Sequence, residues 1–106
     1  MAKYLLNASY TLEGVRGLLK EGGTSRRATV EAAVKEIGGS IEAFYFTFGE
    51  SDVIVIADIP DNTSAAALAL TVAASGAVKV STTVLLTPDQ IDDATQKSIS
   101  YRPPGA

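Results

Sequence analysis

The side chains able to do chemistry in this chain are few, and most of them donate hydrogen bonds. Arg26 and Arg27 follow Gly22-Gly23, a pair that reads as a break between two helices. Two guanidinium groups beside free helix-start amides suit a carboxylate or a phosphate. The plainer reading is solvated charge, with Arg27 paired to Glu31 one helical turn on. Gly49-Glu50-Ser51-Asp52 reads as a hairpin turn, with glycine at positive φ and Asp52 bonding local amides, or as the rim of a ligand pocket. Asn7, Ser9, Ser81 and Thr83 share a face of neighbouring strands, with Lys79 near its end; they line a polar pocket or hydrogen-bond across an interface. Tyr4, Tyr10 and Tyr45 are expected on the helix side of the sheet, where they pack as core or wall a cavity for an apolar ligand. The candidate ligand residues are therefore Asn7, Tyr10, Arg27, Tyr45 and Asp52.

No histidine and no cysteine is present, which removes the commonest general base, the commonest metal ligand and every disulfide. Asp89, Asp92 and Asp93 lie close together near the C-terminal end, but without the loop spacing that calcium needs, and they read as a solvated face. No catalytic set stands out, and neither a metal nor a cofactor is assigned. Haem ligation would fall to a tyrosine, because Met1 is the only methionine.

Composition narrows the partners. The chain has 106 residues, 46% of them apolar, and a net charge of −3. Residues 1–50 hold six basic and six acidic side chains, whereas residues 51–106 hold three basic and six acidic. No basic stripe exists to neutralise phosphates, so nucleic acid is not an expected partner. The start, MAKYLLNASY, reads as neither a signal nor a transit peptide, and no apolar run nears the ~20 residues that span a bilayer. A cytoplasmic protein without a membrane partner is the expectation.

The elements follow from periodicity. Residues 3–10 alternate as a strand, and a helix capped by Thr11 buries Val15, Leu18 and Leu19. A second helix, residues 26–37, is capped by Thr24 or Ser25, buries Val30, Ala33, Val34 and Ile37, and stops at Gly38. Strands at residues 41–48 and 53–59 form a hairpin that Pro60 ends. An alanine-rich helix, residues 63–75, precedes Gly76 and a strand at residues 78–86. Thr87-Pro88-Asp89-Gln90 then starts a short helix with a capping box. Residues 1–98 form one domain and residues 99–106 an extended tail. Right-handed crossovers give an α+β ferredoxin-like βαββαβ fold: a four-stranded antiparallel sheet, order 4-1-3-2, with helices on one face and an extra C-terminal helix.

The other face of that sheet is too apolar for water. Strict alternation turns Phe44, Phe46 and Phe48 onto it; Ile54 and Ile56 join them from the third strand, and Leu5 and Leu85 from the first and fourth. A patch of this kind exceeds what a monomer leaves exposed. The expected cover is a second copy packed sheet to sheet, a dimeric α/β barrel or a dimer-based higher oligomer. The alternative is the C-terminal helix and tail folded back over the face.

The segments KYLLNASYTLEGVRGL, SRRATVEAAVKEIGGSIEAFYFTFG, DVIVIADIPD and AAALALTVAASGAVKVSTTVLLTP resemble the GYD family over nearly the whole chain. The resemblance implies a dimeric α/β-barrel-like fold of the ferredoxin-like kind and no general activity. Gly49 and Asp52 stand at the positions of the family's namesake motif, and Ser51 takes the place of its tyrosine, so no role for that phenol carries over. Three functional classes fit: a homo-oligomeric module that binds a small apolar or anionic ligand or serves assembly; a cofactor-independent enzyme of monooxygenase or isomerase type acting on an aromatic or carbonyl compound; and a haem or flavin carrier. The lack of histidine and cysteine favours the first.

Overall fold

The computed structural model describes all 106 residues. The elements run β1 (Ala2–Tyr10), α1 (Leu12–Glu21), α2 (Gly23–Glu36), β2 (Ser40–Phe46), β3 (Val53–Ile59), α3 (Asn62–Ala74), β4 (Val78–Leu85) and α4 (Pro88–Thr95). Every neighbouring strand pair is antiparallel, and the sheet order β2-β3-β1-β4 is the expected order counted from the other edge.

Alternation along the two central strands makes the core. Tyr4 and Leu6 of β1 point to the helices with Val53, Val55, Ala57 and Ile59 of β3, and Val34, Ala65 and Leu68 close over them. The Tyr4 hydroxyl, too deep for water, donates to Asn62 Oδ1 at 2.5 Å, which satisfies the one polar atom this ring brings inside. The core is small: 11 of the 106 residues are buried, so much apolar surface stays outside.

Helix starts mostly follow the sequence signals. Thr11 Oγ1 accepts from the Gly14 amide, Asp61 Oδ1 accepts from the Ser64 amide, and Thr87 and Gln90 complete a capping box. Helix α2 departs from expectation. It begins at Gly23, with no side-chain cap, and Thr24 and Ser25 lie within its first turn. Gly22, at φ 82°, makes the whole bend by itself, a conformation open to glycine at little cost. Gly23 is needed for space, since a Cβ there would sit 2.9 Å from the Phe46 ring.

The aromatic strand corrects the sequence reading. Ile41 faces Ala57 and Ala43 faces Ile56, so Glu42 has no partner and forms a β-bulge. One extra residue reverses the faces of everything after it. Phe44 and Phe46 therefore pair with Val55 and Val53 on the helix side, not on the open face. Tyr45 pairs with Ile54 on the open face, not on the helix side. Phe48 lies beyond the strand end and is fully exposed. Gly49 does not take a positive φ. The connection spans residues 47–52, closed by the Thr47 amide to the Asp52 carbonyl at 2.8 Å, and a loop of that length does not need a left-handed turn.

Helix α1 also packs less than expected. Leu18 is half-buried, whereas Leu12, Val15 and Leu19 face water. Residues 86–106 are exposed throughout, so neither α4 nor the tail covers the open face. The radius of gyration is 16.9 Å. A compact chain of this length has about 13 Å. No helix is long and apolar enough to cross a membrane.

Candidate functional site

Where α2 and α3 lie over the sheet, packing is incomplete. The gap is a cavity of about 150 Å³. Leu6, Val55 and Phe44 form its floor, and Val30, Ala33 and Leu68 its roof. Thirteen of its 15 lining residues are hydrophobic; the exceptions are Arg26 and Thr29, three residues apart on α2. The many small residues of α3 explain why the roof does not fill the gap, because alanine at positions 65, 66, 67 and 69 leaves a thin helix surface.

Tyr10, the last residue of β1, lines this cavity and also a shallower hollow of about 380 Å³ bounded by Val15, Leu18, Phe46 and Phe48. Its position is fixed on two sides. Its backbone N–H donates to Asp52 Oδ2 at 2.8 Å, and its ring packs where a Cβ on Gly14 would go. Burial pushes the phenol pKa above its ordinary value of 10.0; the Arg26 guanidinium beside it pulls the other way, and the charges of Asp52 and Glu21 add a smaller upward push. Arg26 Nη1 stands 3.8 Å from Glu21 Oε1.

The five residues singled out from sequence do not form one site. Tyr10 and Asp52 meet directly. Asn7 and Tyr45 lie on the opposite face of the sheet, where Asn7 Oδ1 accepts from Ser51 Oγ at 3.3 Å and Tyr45 is exposed. Arg27 is exposed and borders neither hollow. Sequence reasoning missed Thr29 and Phe44, and of the arginine pair it carried Arg27 into the ligand set where the cavity takes Arg26. Arg26 precedes Val30 by four residues and Ala33 by seven, a spacing that puts it on the roof-forming stripe of the helix. Phe44 was concealed by the bulge.

The open face has its own chemistry. Lys3 Nζ donates to Asp58 Oδ1 at 3.0 Å and to Glu42 Oε2 at 3.1 Å. These bonds, that to Asp58 first, raise the Lys3 pKa above its ordinary 10.5. Leu5 and Ile56 pair across β1 and β3 just inside this ion cluster, with Ile54 further along and Leu85 opposite Lys3, and all four are half-buried. No group of three or more carboxylates is placed to hold a metal ion.

An antiparallel four-stranded sheet of this order, crossed by α2 and α3, defines a ferredoxin-like α+β protein. The chain belongs to the GYD domain family, whose model matches residues 4–95. No curated protein and no solved structure matches it.

Proposed function

We propose that the protein is a homo-oligomeric module that binds a small molecule between sheet and helices. The observation that carries this reading is the apolar cavity of about 150 Å³ with its polar groups gathered at one end. Binding sites for small molecules are mostly apolar with a few convergent polar groups. Self-association, as a sheet-to-sheet dimer of the α/β-barrel kind, is supported by Leu5, Ile54 and Ile56 on a face that no part of the same chain covers. The exposed C-terminal segment supports it too. An isolated helix as short as α4 is unstable in water, and Leu86, Ile91, Ile99 and Tyr101 give it apolar groups to set against a second copy.

Native mass spectrometry of the purified protein tests both halves. A multiple of the 11.0 kDa chain, and an added small mass displaced by toluene, are the expected results. A single-chain mass at micromolar concentration overturns the oligomer. Toluene that leaves the methyl NMR signals of Val30 and Leu68 unmoved overturns the cavity.

A second reading is favoured by the Tyr10 phenol at the cavity wall beside Arg26. A cofactor-independent enzyme would use that phenol to give or take a proton from a bound aromatic or carbonyl compound. Turnover of a quinol panel that is lost in Tyr10→Phe supports it; no turnover across the panel removes it.

A further inference from the structure

We infer that the cavity's ligand is a single aromatic ring bearing a carboxylate, with the ring in the core and the carboxylate on Arg26. This rests on the reading of the cavity as a binding site and adds the class of ligand.

Size sets the first limit. An apolar cavity of about 150 Å³ holds a benzene-sized molecule, and this cavity has that volume. The lining sets the second. Val55, Phe44, Val30 and Leu68 offer a ring only apolar contact. The third limit is the polar end. Arg26 and Thr29 are one helical turn apart, and the Thr29 hydroxyl is already donating to the Ser25 carbonyl at 3.2 Å. The donors there are the Arg26 guanidinium, which already leans on the Tyr10 oxygen, and the Tyr10 O–H; the guanidinium has further N–H groups to give, so a ligand that supplies acceptor oxygens fits this end. A planar guanidinium matches a carboxylate through two parallel N–H bonds.

Arg26 is available for this. Glu21 Oε1, at 3.8 Å, is beyond hydrogen-bonding distance, and the Glu21 side chain is 43% exposed. A loose pair of that kind is easily displaced. Asp52 is held by the Tyr10 amide and borders the shallow hollow instead of the cavity. With two acids close by, the local field alone does not select an anion. Direct bonds from Arg26 do, and a cationic ring is therefore the decisive control.

The test is a titration of the full chain with benzoate, toluene and benzamidine, read by calorimetry and by the methyl NMR shifts of Val30 and Leu68. Benzoate is expected to bind about tenfold or more tightly than toluene, a difference of the size a charged hydrogen bond gives. Arg26→Gln should bring benzoate down to the toluene level or below, because the carboxylate then lacks its partner, and should change toluene affinity much less. Benzoate no tighter than toluene, or unaffected by Arg26→Gln, overturns the carboxylate assignment while the cavity reading stands. Preference for benzamidine also overturns it. If no ring moves the two methyls, the assignment and the cavity reading fall together. Should Arg26→Gln fail to fold, Arg26→Lys keeps the charge and loses the fork; benzoate affinity equal to wild type in that variant overturns the paired-bond geometry.

Discussion

The backbone N–H of Tyr10 donates to the carboxylate of Asp52 at 2.8 Å, which ties the end of the central strand to the loop between β2 and β3. The Asp52 amide returns a bond to the Ala8 carbonyl at 2.8 Å. Asp52→Ala removes a charged acceptor from a half-buried amide and should cost about 1–3 kcal/mol. Asp52→Asn keeps an acceptor oxygen and should cost less. Urea unfolding of the two variants measures the difference, and equal midpoints for Asp52→Ala and wild type would contradict it.

The open face offers a cleaner interface test than the phenylalanines do. Ile56→Asp places a charge beside Leu5 at the centre of that face. On the proposed sheet-to-sheet dimer it should give a single-chain mass in light scattering where the wild type gives a multiple, and leave the far-ultraviolet circular dichroism of the fold intact. Phe46→Asp, by contrast, disturbs the contact with Gly23 and should lower the melting temperature of the chain itself.

Two glycines of α1 make opposite predictions. A Cβ at Gly14 would lie 2.2 Å from the Ala77 carbonyl oxygen and 2.9 Å from Tyr10 Cδ1. Gly14→Ala should therefore destabilise by about 1–3 kcal/mol through overpacking, and it should shift the Tyr10 ring signals in NMR. Nothing lies within 4 Å of the corresponding position at Gly17. Gly17→Ala should stabilise by about 0.5–1 kcal/mol, the helix preference of alanine over glycine. Thermal melts of the pair decide both.

Alkaline pH probes Lys3. Its pKa is raised in the folded state by Asp58 and then Glu42. The unfolded chain then releases the proton first, so the stabilisation is complete below the ordinary 10.5 and is lost as pH rises through the folded value. Stability should fall in that range, and Lys3→Met should flatten the fall. The raised Tyr10 pKa acts in the same direction, because the unfolded phenol ionises before the buried one. Comparing Lys3→Met with Tyr10→Phe in pH-dependent urea melts separates the two contributions.

Much of the fold was legible because local signals agree with one another. Thr87-Pro88-Asp89-Gln90 is a helix start by chemistry alone, and its capping box forms. Gly38 and Gly76 end helices with positive φ, as their positions indicate. Alternation placed Tyr4 and Tyr10 under the helices, and Leu5, Ile54, Ile56 and Leu85 on the other face. The site was less legible for two physical reasons. A bulge carries no side-chain signature, so Glu42 reversed the assignment of Phe44, Phe46 and Tyr45. The choice between Arg26 and Arg27 depends on where α2 starts, and that was set by Gly22 alone and not by a side-chain cap.

The bulge has a consequence for how this sequence tolerates length changes. On either side of Glu42, strand β2 runs in opposite phase relative to a simple two-residue repeat. Deleting that one residue would bring Ile41, Ala43 and Phe44 into plain alternation, so Ile41 and Phe44 would both keep facing the helices. The frame here is therefore forgiving of one particular loss: without the Glu42 codon the ladder becomes regular, Phe44 stays on the cavity floor and Tyr45 on the open face, whereas losing any one residue between Ala43 and Phe46 would set the rest of the strand out of phase with β3.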